Sequence, residues 1–476
     1  MTPWTTTLIA VAGAPTRTLP RNSPPPKPPP VTSQITAARV RPGCRAAVAC
    51  APHGTQPPGM LPAEGATLHG ELIVTATETA GTVVSGTELR AAMSGTYAAF
   101  IGSGFAFASW AARIPQIRDG LHLRPSTLGL ALLAIAAGSL LALPLSGAVI
   151  TRVGSRRTVA AMAVLLAAAL IIVAVGFQVG LVPVVAGLFF LGFANGAWDV
   201  AMNVQGAAVE RHLGRSIMSR FHAGYSLGTV AGALVGAVMV ALGVPVTAHL
   251  LAVAVAVAVV VPRAARRFLP DREATVDPGV RRTALTPWRE PRTLLIGLFV
   301  LAFAFAEGAG NDWISIAVID GYHLPAALGT LAFAAFLAAM TVSRWFGPAL
   351  LDRYGRVAVV RGLALVGIAG LLLFVFSPNP PLAFAGALLW GMGVSLGFPV
   401  GMSAGADDPA RAAGRVSVIA SIGYCAFLAG PPLIGLLGDR VSVLRALTTV
   451  AVLLALAALV AGSVRAPGTT SARRRP

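Results

Sequence analysis

The sequence predicts an all-α integral membrane protein in which twelve transmembrane helices form two pseudo-symmetric bundles of six. Of its 476 residues, 55% are hydrophobic and only 11% are charged, and the mean hydropathy is +0.75. Soluble globular proteins are much less apolar. From Met93 onward apolar segments of about twenty residues recur, and each is long enough to cross the ~30 Å hydrocarbon core of a bilayer.

Twelve such segments are separated by polar loops. The predicted spans are 92–112, 127–150, 158–177, 181–203, 218–242, 245–262, 293–317, 325–350, 357–377, 382–404, 414–437 and 442–462. An Arg-rich loop after the sixth span divides the chain. We therefore expect an N-terminal bundle over 92–262, a cytoplasmic central loop over 263–292, a C-terminal bundle over 293–462 and a basic tail over 463–476.

Residues 1–91 have a different composition from the rest of the chain. They are rich in proline, notably between Pro24 and Pro30, and contain no apolar run that could span a bilayer. This composition predicts a disordered extension. Met93 stands where the first apolar segment begins, so a mis-set start codon is an alternative explanation for these residues.

The net charge of +18 raises the question of nucleic-acid binding. The arginines of the apolar region, however, lie almost wholly in loops between the apolar segments, and they favour alternate loops. This is the positive-inside pattern of membrane proteins rather than a nucleic-acid-binding surface. It predicts a multi-pass protein of the cell (inner) membrane with both termini in the cytoplasm, contacting lipid and no nucleic acid.

Two short basic segments repeat 200 residues apart. Each follows the second helix of its half, and their shared residues are Gly147, Arg152, Gly154 and Arg156 in the first copy and Gly347, Arg353, Gly355 and Arg356, preceded by Asp352, in the second. Two parallel six-helix repeats with the same turn are one known transporter architecture.

This repeated pattern resembles the loop signature of the major facilitator superfamily, with Thr151 replacing the acid in the first copy. The segments 108–115, 195–203 and 219–222 further resemble an uncharacterised bacterial inner-membrane branch near the fucose-permease-like members. The resemblance implies the major facilitator fold. We expect Asp352 to bond Arg353 or Arg356 and help gate the inner mouth; a plain helix connection is the alternative.

Ionisable residues inside the predicted spans are the main candidates for function, because each is costly in the bilayer unless it faces a cavity or a partner. In the fourth span, Asn195, Asp199 and Asn203 recur every four residues and share one helix face. This stripe is either part of a substrate or proton pathway or a hydrogen-bonded seam between helices.

The seventh span carries Glu307, Asn311 and Asp312, with Glu307 nearest the middle of the membrane. A carboxyl group there can take up and release a proton, so Glu307 is the leading candidate for proton coupling. The alternative is a structural carboxyl bonded to a neighbouring helix. Proton-coupled sugar porters of the branch that the sequence resembles have an acid in the first helix. The first predicted span of this chain, 92–112, contains no Asp or Glu, which argues against sugar symport.

Each of three further residues has two possible roles. Arg113 and Trp110, at the outer end of the first helix, would either receive an anionic or aromatic substrate or anchor the helix at the interface. Arg344 in the eighth span would either pair with an acid or extend toward the membrane surface.

These observations together predict a secondary transporter, expected to be monomeric and proton-coupled, that moves a small molecule by alternating access. A multidrug or metabolite efflux antiporter and a non-transporting membrane sensor are the alternatives. No Walker-type loop or soluble catalytic domain appears, and the three cysteines have no metal-ligand spacing. We therefore expect no enzyme activity, cofactor or metal.

Overall fold

A computed structural model of the chain describes residues 85–214, 217–271, 286–408 and 411–466. Residues 1–84, residues 272–285 of the predicted central loop and the final ten residues lie outside this part. The predictions of a disordered extension and a basic tail therefore stay predictions.

The N-terminal half contains six long helices and one short one. Their bounds are α1 Gly86–Ala111, α2 Ile114–Gly120, α3 Pro125–Val153, α4 Ser155–Gly176, α5 Leu181–Leu213, α6 Met218–Ala241 and α7 Val246–Ala265.

The C-terminal half repeats this arrangement with two interrupted helices. A 3-10 turn, Thr286–Arg289, precedes α8 Pro291–Tyr322, α9 Ala326–Tyr354, α10 Arg356–Phe376, α11 Pro380–Val394, α12 Gly397–Gly405, α13 Ala412–Val441, α14 Val443–Ala446, α15 Thr448–Val460 and a final 3-10 turn, Ala461–Val464. The tenth crossing consists of α11 and α12, and the twelfth of α14, α15 and that turn.

Eleven helical segments in the described residues are long and apolar enough to cross a membrane. The remaining crossing is α1, which has 26 residues but is rich in small and weakly polar ones. These let it pack closely: a Cβ atom on Gly95 would lie 2.6 Å from the carbonyl oxygen of Ala264 in α7. The predicted twelve-helix, all-α class agrees with this architecture.

The first helix begins earlier than the sequence analysis predicted. Residues 86–91 were assigned to the disordered extension but form the first turns of α1. Ser85 caps the helix: its hydroxyl oxygen accepts from the Glu88 amide at 3.2 Å, and the Glu88 carboxylate accepts from the Ser85 amide at 2.9 Å. Such a capping box stabilises polar turns that a search for apolar runs omits.

The repeated basic segments form the same turn in both halves. Gly154 joins α3 to α4 with φ 87°, and Gly355 joins α9 to α10 with φ 78°. Residues with a Cβ atom rarely adopt these angles, so glycine is favoured at both turns. The loops with most of the arginines lie at this end of the bundle, which we call the basic end; the other is the opposite end.

Close glycine contacts hold α3 against α5. A Cβ atom on Gly138 would strike the backbone of Phe189, and one on Gly192 would strike that of Ile135. The Ser139 hydroxyl also donates to the Gly192 carbonyl oxygen at 2.9 Å. Small residues at such crossings let helix backbones approach, which is a main source of helix association in membranes.

We expect Gly192→Ala to destabilise the protein by about 1–3 kcal/mol, because the added methyl group has no space at the α3–α5 crossing. Gly362→Ala is the control, since a Cβ atom there would meet nothing within 4 Å and alanine favours helix by ~0.5–1 kcal/mol. Thermal unfolding in detergent, followed by tryptophan fluorescence, measures both. Equal midpoints for the two variants would show that the crossing is not tightly packed.

Candidate substrate cavity

A cavity of about 320 Å³ lies between the two halves. Helices α1, α3, α5 and α6 line it from the N-terminal half, and α8, α9, α12 and α13 from the C-terminal half. Its charged lining residues are Asp199, Glu307, Asp312 and Arg344. The three acids were candidates because a charged side chain in a bilayer costs free energy, and the fold brings all three to this cavity.

Glu307 forms an ion pair with Arg344. One guanidinium nitrogen, Nη2, donates to both carboxylate oxygens, at 3.0 and 2.9 Å, and Nε donates to the Ser395 carbonyl oxygen at 3.0 Å. Of the two readings of Arg344, pairing with an acid is therefore the one observed. Glu307 is thus bonded to a neighbouring helix, as in the alternative given for it, and a cation neutralises its charge.

Asp199 and Asp312 have no such counter-charge. Asp199 accepts one hydrogen bond, at 3.2 Å, from the side-chain amide of Asn203. Asp312 forms no hydrogen bond or ion pair with any residue that the structure describes. Both line the cavity, so it contains two carboxyl groups without a basic partner.

The amides beside these acids differ in their surroundings. Asn195 lines the cavity and accepts from the Ser103 hydroxyl at 3.0 Å. Asn311 also lines it, and its buried Oδ1 atom has no hydrogen-bond partner within the described ranges. Asn203 does not reach the cavity; it donates to the backbone oxygen of Asp199 as well as to its side chain. The predicted stripe on α5 thus contributes two residues to the cavity, and the third supports Asp199.

Aromatic side chains form much of the remaining wall, and the sequence analysis did not identify them. They come from four helices and are Phe107, Tyr225, Phe398, Tyr424 and Phe427. Hydrophobic periodicity does not distinguish a cavity-facing phenylalanine from a lipid-facing one. The available signal was the rarity of tyrosine, since two of the five in the chain line this cavity.

Arg113 and Trp110, predicted either to receive a substrate or to anchor the first helix at the interface, do not belong to this cavity. Both are 2% exposed and neither lines it. Arg113 directly precedes α2, and its Nε donates to Nδ1 of His249 in α7 at 2.9 Å. The turn between α1 and α2 therefore buries the pair instead of leaving it at a surface.

The cavity is closed at the opposite end. Arg118 pairs with Asp320, with Nη2 to Oδ1 at 2.9 Å, the Ser126 amide donates to Asp439 at 3.1 Å, and the Thr330 hydroxyl lies 3.5 Å from the Ala112 carbonyl oxygen. Within the described residues, every hydrogen bond that joins the two halves lies at this end.

The sequence matches the model of one protein family. The Major Facilitator Superfamily model matches residues 96–427, which include both basic turns and all of the cavity lining except Leu428 and Pro431. The chain belongs to the Major Facilitator Superfamily. Two relatives are an uncharacterized transporter of Sinorhizobium fredii, 29% identical over 77% of this chain and 96% of that protein, and an uncharacterized MFS-type transporter of Yersinia pestis, 30% identical over 78% and 94%.

Solved structures support the same fold. The nucleoside transporter NupG superposes with a TM-score of 0.61 at 14% identity, covering 78% of this chain and 98% of that one. The E. coli fucose:proton symporter FucP gives 0.51 at 15% identity, covering 77% and 97%. The resemblance to fucose-permease-like members is thus confirmed at the level of fold, and this superfamily member is a multi-pass membrane transporter homologue.

The superfamily's basic turns bond differently from the expected pattern. Asp352 and Arg353 are exposed and form no ion pair in the described parts of the chain, so the predicted bonds among Asp352, Arg353 and Arg356 are absent. Arg356 instead donates to Asp407 at 2.7 Å and to the Ser403 hydroxyl at 3.0 Å. Asp407 follows α12, and this contact therefore ties the start of α10 to the end of the tenth crossing.

The first basic turn is held by an acid from a distant loop in a similar way. The Ser155 amide donates to Asp271, which follows α7, at 2.6 Å. Arg152 and Arg156 are exposed and unpaired where the structure describes their surroundings, and Gly147 and Gly347 lie within α3 and α9. A Cβ atom on Gly347 would lie 2.5 Å from Leu396, whereas Gly147 has open space.

We expect Arg344→Met to lower the free energy of unfolding by about 1.5–3 kcal/mol, because it leaves the Glu307 charge without its partner in the cavity. The double variant Arg344→Met/Glu307→Gln removes both charges and is expected to be more stable than Arg344→Met alone. A double-mutant cycle of unfolding midpoints in detergent measures the coupling.

Arg361→Met is the control, since Arg361 is exposed and donates only to the Ala458 carbonyl oxygen. A coupling energy near zero, or an equal loss in the control, would contradict the ion pair between Glu307 and Arg344.

Proposed function

We propose that this chain is a secondary transporter of the cell membrane that moves a small molecule by alternating access, coupled to protons. The observation that carries the proposal is the charged cavity between two repeated halves, whose hydrogen bonds to each other within the described residues all lie at one end. A polar cavity at the midplane between parallel repeats is where secondary transporters bind their substrates.

The basic end is assigned to the cytoplasm, because arginine-rich loops remain on that side of the membrane. Both termini then face the cytoplasm, and the bonded opposite end faces outward. In this orientation the described state is closed to the outside. Alternation requires Arg118 to release Asp320 and Ser126 to release Asp439, while new contacts form at the basic end.

Proton coupling is assigned to the cavity acids, with Glu307 as the leading group. A proton on Glu307 competes with Arg344 for the same two carboxylate oxygens. Protonation therefore frees the guanidinium, which lies beside the interruption between α11 and α12. A ligand or proton shifts a conformational equilibrium only if it binds one state better, and this change of partner provides such a difference.

We expect Asp320→Asn to shift the population toward the state that is open at the opposite end, because it weakens a bond between the halves. Arg118 is 10% and Asp320 45% exposed at the side chain, so the effect is at most ~1 kcal/mol, or about fivefold in population. Asp119→Asn is the matched control, since Asp119 binds the same arginine from the same half.

The measurement is the distance between spin labels at Arg157→Cys and Arg361→Cys, near the basic ends of the two halves, with the native cysteines replaced by serine. The short-distance population should grow in Asp320→Asn and remain unchanged in Asp119→Asn. An equal response in both variants would show that Asp320 does not hold the halves together.

We expect the same label pair to report proton coupling. In reconstituted protein the distance distribution should differ between pH 5 and pH 8, and Glu307→Gln should remove most of this difference because its side chain cannot exchange a proton. Asp352→Asn is the control, as Asp352 is an exposed carboxyl outside the cavity. A single distance population at both pH values, with and without a membrane potential, would favour the non-transporting sensor.

A further inference from the structure

Beyond general transport, the cavity lining points to a substrate class. We propose that the cavity binds a small organic cation carrying a protonated amine, with Asp199 and Asp312 as its carboxylate ligands. This inference rests on the proposed transport function and identifies the ligand of the same cavity.

The residues that line the cavity include more acidic than basic side chains. Three carboxyl groups and one guanidinium face the cavity, and the guanidinium is bonded to Glu307. Asp199 and Asp312 therefore remain without a basic partner among the described residues. The chain has a single lysine, Lys27, outside the membrane region, so no lysine from a span can neutralise them. An anionic substrate would meet this negative charge.

The low polarity of the surroundings makes this imbalance significant. Carboxylates inside a membrane protein are costly unless a proton, a metal or another cation neutralises them. No group of three or more residues suited to metal binding occurs in the described part of the chain. We assign this role to an organic cation, for which the cavity of about 320 Å³ beside the two aspartates has room.

The hydrogen-bonding capacity of the cavity lining favours the same class of ligand, independently of charge. Among the acceptors of the lining, the Asp312 carboxylate has no hydrogen-bond donor within the described residues, and neither has the buried Oδ1 of Asn311. Asp199 uses only one acceptor position within its helix. A primary ammonium group has three N–H donors and no acceptor, so it complements this set. A carboxylate or phosphate has no N–H group to donate to these acceptors, although the Tyr225 and Tyr424 hydroxyls of the same lining can donate.

The aromatic wall supports the same ligand. Tyr225, Tyr424 and Phe427 line the cavity together with the acids, and the rings of Tyr424 and Phe427 lie 6.1 Å apart. Aromatic faces attract cations, and the attraction is stronger away from water. The volume of about 320 Å³ is at the lower end of the ~300–1,000 Å³ typical of ligand pockets, which favours a compact monoamine over a large drug.

The test uses sets of compounds that share a scaffold and differ in charge. Suitable sets are glucosamine, glucose and glucuronate; 2-phenylethylamine, 2-phenylethanol and phenylacetate; and cyclohexylamine, cyclohexanol and cyclohexanecarboxylate. Binding to the purified full-length protein is measured by thermal stabilisation at pH 7 and quantified by titration. In at least one set we expect the amine to stabilise the protein and to bind at least tenfold more tightly than the alcohol and the acid.

Substitutions of the two aspartates test whether the amine binds in this cavity. Asp312→Asn and Asp199→Asn should each weaken binding of the stabilising amine at least tenfold, because each removes one of its negative partners. Asp352→Asn should leave binding unchanged. Because a cavity variant can fail to fold, each is first compared with wild type by unfolding midpoint and gel filtration without ligand.

Three outcomes would overturn the inference: no set in which the amine binds more tightly than its matched alcohol and acid, amine binding that both aspartate variants retain, or no stabilisation by any amine. The label-distance measurement separates these from failure of the transport proposal. A pH-dependent distance change without amine binding would reject the substrate class alone. Amine binding without any distance change would support the cation site and reject transport.

Discussion

The cost of placing a charge inside a membrane is the constraint on which this structure depends. Asp199, Glu307 and Asp312 lie in helices that must otherwise be apolar, so each has to face a partner or a cavity. Outward-facing positions are apolar instead, as at Val182, which is 81% exposed, and Leu459, which is 77% exposed. The cavity is thus the only place in the described fold where all three acids meet, and the two halves are arranged around it.

The same constraint explains which features could be predicted from the sequence. Apolar segments long enough to span a bilayer gave the twelve-helix class, and the exceptional acids within them gave three of the charged cavity residues. Gly154 and Gly355 could be paired from the basic residues around them, and glycine adopts the positive φ angle of that turn with the least strain. These successes involve residues whose chemistry allows few alternatives.

Other features depend on how each helix is rotated and on which distant residue it meets. Arg344 had two acceptable environments, and only the packing of α8 against α9 selects Glu307 as its partner. Arg113 was expected near the membrane surface, but at the turn into α2 it is buried and contacts His249. Asp352 was expected to bond its neighbours in sequence, yet the partner of Arg356 is Asp407, 51 residues away. The aromatic wall was missed because lipid-facing and cavity-facing rings have the same hydropathy.

The interruption between α11 and α12 has a mechanical consequence. Ser395 lies in the gap, and its carbonyl oxygen accepts from the Arg344 Nε atom at 3.0 Å, while its hydroxyl bonds Ser343 in α9 at 2.7 Å. Within an unbroken helix this carbonyl would be committed to an amide one turn later. The break in the tenth crossing thus connects the backbone of that crossing directly to Arg344, the counter-ion of Glu307. The Ser395 carbonyl oxygen therefore loses this hydrogen bond whenever the guanidinium is displaced, and the joint between α11 and α12 then loses one of its contacts with α9.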